Sequence, residues 1–243
     1  HPWQYGGDKR QLWNAPWHDF TMVQGGHGGF PPAHIYTDAY ATQPARPFLE
    51  DEANYEGIRN MGDELVRTTA YRAIQSGSFG YTYGSHGLWY PIHSHDERIE
   101  HIDRWGKPIP WWEALDRPGG RQMGHLRKFY ESLPWWRLEP APAAVETDFR
   151  VAGSRANVSA KSDGDALFTI HFPPVFSPRA AVWLNGVKAG ATYTANWFNP
   201  SKGTFLDKFS VQAASTRLLL PERPDHADWL LVLRKSAASP MRP

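Results

Sequence analysis

Apolar positions recur at helical spacing in two stretches of the chain. In residues 62–76, GDELVRTTAYRAIQS, the positions Leu65, Val66, Thr69, Ala70, Ala73 and Ile74 form one stripe. Asp63 and Glu64 suit the positive end of a helix there, and Gly77 suits its C-terminal cap. In residues 121–133, RQMGHLRKFYESL, the stripe is Met123, Leu126, Phe129, Tyr130 and Leu133, and Pro134 stops it. Short apolar runs lie between and before these helices. Residues 20–24, 45–52 and 78–84 read as strands. Strand, helix, strand with short connections predicts a parallel α/β fold. Three or four such units fit, which is half of an eightfold barrel.

The pattern changes near residue 138. Beyond it, alternating strands follow one another with turn signals between them. DALFTIHF places Ala166, Phe168, Ile170 and Phe172 on one face. Asn185-Gly186 between apolar runs predicts a tight hairpin, and Asn199-Pro200 predicts a second turn. TRLLLP and DWLLVLR supply two more strands. An antiparallel β-sandwich is the expected architecture. The expected division is residues 1–138 and 139–243, with EPAPAAV at 139–145 as the linker.

Composition and charge narrow the function classes. The chain has 243 residues, a net charge of +1, and no basic stripe, so nucleic acid is not an expected partner. No apolar run approaches the length of a membrane span, so no membrane partner is expected either. Cysteine is absent, which removes disulfides, thiol catalysis and thiolate metal sites. Twelve tryptophans leave two readings, rings that stack on sugars or rings that fill a core.

Candidate chemistry collects just past the predicted strands. PFLEDEANYEGIRN, residues 47–60, crowds Glu50, Asp51, Glu52 and Glu56. Alternation puts Phe48, Glu50 and Glu52 on one face. A strand ending near Glu52 sets that carboxylate at the C-terminal mouth of the sheet, where barrel enzymes gather catalytic groups. An acidic, solvated helix start explains the same pattern. QGGHGG at 24–29 offers Gln24 and His27 on a loop whose glycines allow close approach of a ligand. It is not a phosphate loop. YTYGSHGLWYP at 81–91 brings Tyr83, His86 and Trp89, which suit either a sugar subsite or a core. HSHDER at 93–98 has His-x-His but no second ligand motif, so a solvated loop is expected and no metal or cofactor.

Four ordered stretches resemble the apiosidase-like glycoside hydrolases. WHDFTMVQGGHGG is similar to the family's W-x-D-F-x-M-x-Q-[SG]-G-H run, and RPFLEDEANYEGI to its R-P-x-x-x-x-E-P-x-Y-E-G segment. GYTYGSHGLW resembles G-x-x-Y-G-x-x-x-[IL]-W, and WWEALDRPGGRQM resembles the downstream W-x-x-A-L-x-x-P-G-x-x-Q-M. The region from TANWFNPSKGTF to DWLLVL is similar to the small β-domain that usually follows, a domain named for collagen binding. Ala53 replaces the family's proline.

The resemblance implies a (β/α)8 barrel that hydrolyses O-glycosidic bonds with two carboxylates, acting on carbohydrate such as plant cell-wall side chains. It puts the family glutamate on Glu52, as a nucleophile on the seventh strand, and the family's second acid on Glu56. Gln24, His27, Glu56, Tyr83, His86, Trp89 and His1 become substrate-binding candidates, while Glu50 and Asp51 fall at variable positions. HPWQYGG resembles a segment near the fifth strand, so the chain is expected to be the C-terminal half of the barrel. The partner acid, and a signal for a periplasmic or secreted location in a bacterium, are expected upstream of His1. Asp8 does not match the partner acid's position. A non-catalytic carbohydrate- or matrix-binding protein, or an inactive fragment, is the alternative.

Overall fold

The computed structural model describes residues 3–4, 15–29, 31, 33–147, 158–174 and 181–236. His1 and Asp8 lie outside the described residues. The chain divides into two compact units, residues 1–129 and 130–243.

The first unit is built on a parallel sheet whose strands follow chain order: β1 Trp3–Gln4, β2 Thr21–Gln24, β3 Phe48–Glu50 and β4 Gly80–Tyr81. Parallel neighbours need a crossover, and helices supply it. α1, Ala33–Ala41, lies between β2 and β3, and α2, Asp63–Gln75, lies between β3 and β4. Val23, Ile35, Tyr36, Ala39, Phe48 and Ala73 pack into one cluster, with Tyr81 against it. α3 Glu100–Asp103, α4 Trp111–Ala114 and α5 Pro118–Glu131 follow.

The α2 stripe is wider than its spacing predicts. Val66 through Gln75 are all buried, including Arg67 and Arg72. The Arg67 guanidinium is held by Asp63 at 3.0 Å and by Gln122 at 2.7 Å. A buried cation needs such partners. Gly77, at φ +105°, ends the helix in the left-handed region as its sequence predicts. α5 begins at Pro118, three residues ahead of the expected start, since proline is tolerated in a helix's first turn. The predicted strands over 45–52 and 78–84 shrink to three and two residues. β3 stops at Glu50, so the alternation linking Glu50 to Glu52 ends there.

The second unit is antiparallel. β5 Glu139–Pro140, β7 Ser159–Ser162, β8 Leu167–Phe172, β10 Thr192–Asn199, β11 Thr204–Phe205, β12 Phe209–Gln212 and β14 Trp229–Lys235 form one sheet. Its order is β11-β10-β14-β8-β7-β5, with β12 also paired to β10. β6 Val145–Thr147, β9 Val182–Asn185 and β13 Arg217–Leu219 form a second sheet, ordered β13-β9-β6. One apolar cluster draws on both. Alternate residues of three neighbouring strands enter it, Phe168/Ile170/Phe172, Tyr193/Ala195/Trp197 and Trp229/Leu231/Leu233, and Leu184 and Leu218 come from the smaller sheet.

Three expectations are corrected here. Residues 139–145 are not a linker, because Glu139 and Pro140 pair with Ser162 and Lys161 in the sheet. Ala166 is exposed and precedes β8, so it does not join Phe168 in the core. Asn185-Gly186 makes a turn, with Gly186 at φ +76°, but no hairpin. β9 pairs with β13 and β6, while β10 pairs with β11, β12 and β14. The tight connection lies instead at 200–203, joining β10 to β11, where the Asn199 side chain accepts from the Lys202 N–H at 2.9 Å.

Candidate active site

The glycine loop after β2 runs beside the segment after β3. Gly26 bridges to Ala53, with the Gly26 N–H donating to Glu52 O and the Asn54 N–H to Gly26 O, both at 3.0 Å. Asn54 locks the loop. It is fully buried, sits at φ +52°, and its amide donates to Gly29 O at 2.7 Å and to Thr69 Oγ1 at 2.9 Å. Asparagine tolerates this backbone region better than most residues.

This arrangement brings His27 to Glu52. His27 Nε2 lies 3.1 Å from Glu52 Oε1. The Tyr55 amide N–H donates to His27 Nδ1 at 3.3 Å, so Nδ1 is the acceptor and Nε2 carries the proton. The imidazole therefore donates to the carboxylate. Its ring is held edge-on by Tyr55 at 4.7 Å and Trp105 at 5.8 Å. The side chains of His27 and Glu52 retain 10% and 20% of their exposure, so the pair is sheltered yet reachable. Burial and the neighbouring Glu52 push the Tyr55 phenol up to about 12.

Glu56 is tied down separately. Its Oε2 accepts from the Tyr83 hydroxyl at 2.7 Å and from the Gly119 N–H at 2.9 Å, in the first turn of α5. A carboxylate is favoured at that helix end. Glu56 is only 3% exposed. It joins the post-β3 segment, the post-β4 loop and α5, and Tyr83 is its partner before it is anyone else's. Burial, then the bond to Glu56, raises the Tyr83 phenol.

His86 departs from the sugar-binding expectation. It is fully buried, its Nδ1 accepts from the Trp89 indole at 3.2 Å, and its Nε2 donates to Gly106 O at 2.8 Å. Both ring nitrogens are spent inside the chain, and burial lowers its basicity. It stacks on Trp89 with ring centroids 6.3 Å apart and holds that partly exposed ring in place. Gln24 ends β2, half-buried, on the sheet face opposite Val23. No group of three or more metal-ligating side chains is assembled among the described residues, and His95 of the HSHDER run pairs with Glu113 at the surface.

Sequence reasoning does not reach Asn54 or Trp105, and it leaves Glu50 and Tyr55 without a role. Glu50 was set aside as variable, yet it is completely buried beneath the loop, accepting the Gly25 N–H at 3.0 Å and the Glu52 N–H at 3.1 Å. A short polar residue two positions past the candidate glutamate was the available signal for Asn54.

The family model described as "Apiosidase-like, catalytic domain" matches residues 1–137. The chain belongs to the apiosidase-like family. Among solved structures it is similar to a protein titled "Glycoside hydrolase", at 21% identity and a TM-score of 0.74, covering 93% of this chain and 54% of that one. It is also similar to a glycoside hydrolase family 5 protein from Bacteroides vulgatus, at 21% identity and a TM-score of 0.75, covering 95% and 53%. A structure from the same organism, titled a "putative glycoside hydrolase", aligns at 12% identity, a TM-score of 0.55, and 93% and 42% coverage. The chain thus spans about half the length of the structures it matches. Comparison with curated proteins gives no match.

Proposed function

We propose that this chain supplies the nucleophile side of a retaining glycosidase, with Glu52 attacking the anomeric carbon. The observation that carries the reading is the His27–Glu52 pair: a carboxylate just past a parallel strand, oriented by an imidazole whose tautomer a backbone amide sets. A carboxylate held just past a parallel strand is what a barrel glycosidase needs.

The four sequential parallel strands stand for strands five to eight of a (β/α)8 barrel, with Glu52 following the seventh. A second carboxylate, about 5–5.5 Å from Glu52, would protonate the leaving oxygen from another part of the complete protein. Gln24 would bond a sugar hydroxyl and Trp89 would stack on a ring. Side chains of plant cell-wall polysaccharide are the substrate class we favour, on the strength of the family. Such polymers are too large to enter a cell, which fits an exported enzyme. The two-sheet unit is read as an antiparallel β-sandwich appended to the barrel.

Glu52→Gln in the complete protein is the test. Release of reducing sugar from cell-wall oligosaccharides should fall by roughly a thousandfold or more, with an unchanged unfolding midpoint. Turnover near that of the unaltered protein would overturn the assignment.

A further inference from the structure

Glu50 is a buried acid that no part of the proposed chemistry uses. It sits at the end of β3, paired in register with Val23 on β2 and Tyr81 on β4. Its own N–H donates to Ser78 Oγ at 3.1 Å, and the single Ser78 hydroxyl proton is shared between two carbonyl oxygens within reach, Gly80 O at 2.6 Å and Phe48 O at 3.1 Å. Its carboxyl turns the other way, with Oε1 accepting the N–H of Gly25 and the N–H of Glu52. One oxygen atom therefore spans the start of the glycine loop and the backbone of the candidate nucleophile, the two segments that must be in register for His27 to meet Glu52.

The fit around this carboxyl is tight. A Cβ added at Gly25 would lie 2.8 Å from Glu50 Oε2 and 2.6 Å from Pro31 Cγ. Oε2 is buried without a hydrogen bond of good geometry, and so is the hydroxyl of Tyr36 on α1. The two are electrostatically coupled, for Glu50 is among the causes that raise the Tyr36 phenol, after burial itself. Burial pushes the Glu50 carboxyl up to about 7 against the opposing pull of its hydrogen bonds.

We infer that Glu50 is a positioning residue for the candidate active site, holding the backbones of Gly25 and Glu52 through one carboxyl oxygen and thereby setting the His27–Glu52 pair. This rests on the reading of Glu52 as nucleophile for its catalytic consequence, and on geometry alone for its structural one.

The experiment compares Glu50→Leu and Glu50→Gln in the complete protein. Leucine removes the acceptor and leaves two partly buried amides without it, whereas glutamine keeps a carbonyl oxygen in the same place. We expect Glu50→Leu to lower kcat roughly 100-fold with KM within about threefold, and Glu50→Gln to restore kcat to within about fivefold of the unaltered enzyme. Hydrogen exchange resolved to single amides provides a readout that needs no substrate. Protection at Gly25 and Glu52 should be lost in Glu50→Leu and kept in Glu50→Gln. Full kcat in Glu50→Leu, or unchanged protection of both amides, overturns the inference. If Glu50→Leu does not fold, exchange in the unaltered protein and in Glu50→Gln decides, and rapid exchange at both amides in either sinks it. Unimpaired turnover in Glu52→Gln would instead remove the assignment of Glu52 as nucleophile, while the exchange result still judges Glu50.

Discussion

His27 donates to Glu52 at 3.1 Å because the Tyr55 amide occupies the other ring nitrogen. Three consecutive structural decisions stand behind that one bond. Glycines let the loop reach the post-β3 segment, Asn54 clamps it there, and Tyr55 chooses the tautomer. Removing the imidazole should cost that hydrogen bond, the acceptor of the Tyr55 N–H and the ring contacts with Tyr55 and Trp105. His27→Ala is expected to lower kcat roughly 10- to 100-fold, measured in steady-state kinetics, with a stability loss of about 1–3 kcal/mol in urea unfolding.

Gly84 tests the wall behind that pair. A Cβ at this position would fall 2.1 Å from Tyr55 Cδ1 and 2.4 Å from its Cγ. The ring cannot swing away without leaving His27, 4.7 Å distant. Gly84→Ala should therefore reduce kcat along with about 1–3 kcal/mol of stability, read from urea unfolding.

Glu56 should behave as a structural carboxylate. Glu56→Ala strands the Tyr83 hydroxyl and the Gly119 N–H, and a loss of at least about 2 kcal/mol is expected. Glu56→Gln, which keeps one acceptor, should lose less. Equal losses in the two variants would argue against this role.

Glu50 predicts a pH dependence of stability. Its carboxyl is raised from 4.5 to about 7 in the fold, so the folded state binds a proton that the unfolded chain releases between those values. Its contribution is fully present below about pH 4.5 and disappears as pH rises through about 7. Relative to Glu50→Gln, the unaltered protein should lose up to roughly 3 kcal/mol between pH 5 and pH 8, by denaturant unfolding.

The second unit offers an independent check. Trp197 packs edge-on against Phe172 at 5.2 Å and against Trp229 at 6.3 Å, in the centre of the shared core. Trp197→Ala should destabilise that unit by about 3–5 kcal/mol, followed by near-ultraviolet circular dichroism.

Elements with a strong period were legible in the sequence. α2 and α5 showed as stripes, and the alternation in β8 marked its core-facing phenylalanines and isoleucine. α1 was missed: its buried residues Ile35, Tyr36 and Ala39 sit among polar neighbours just past two prolines, and no long stripe forms. Asn185-Gly186 misled because turn chemistry reports a local bend, while strand pairing is settled by distant partners. For the site, the motifs located the right neighbourhood. They could not show that His86 spends both nitrogens internally, or that Glu50 is sealed while Glu52 is not. Those facts depend on where β3 stops, and a run of acidic residues carries no period to mark that point.

The contacts that make the site are far apart along the chain. His27 meets Glu52 across 25 residues, and Gly119 meets Glu56 across 63. Contacts of such range are slow to form, because a long loop must close before they return any energy. During synthesis, Glu56 waits for 63 more residues before its helix-end partner exists. The site is therefore a late product of folding, and its appearance reports that the crossover segments have docked.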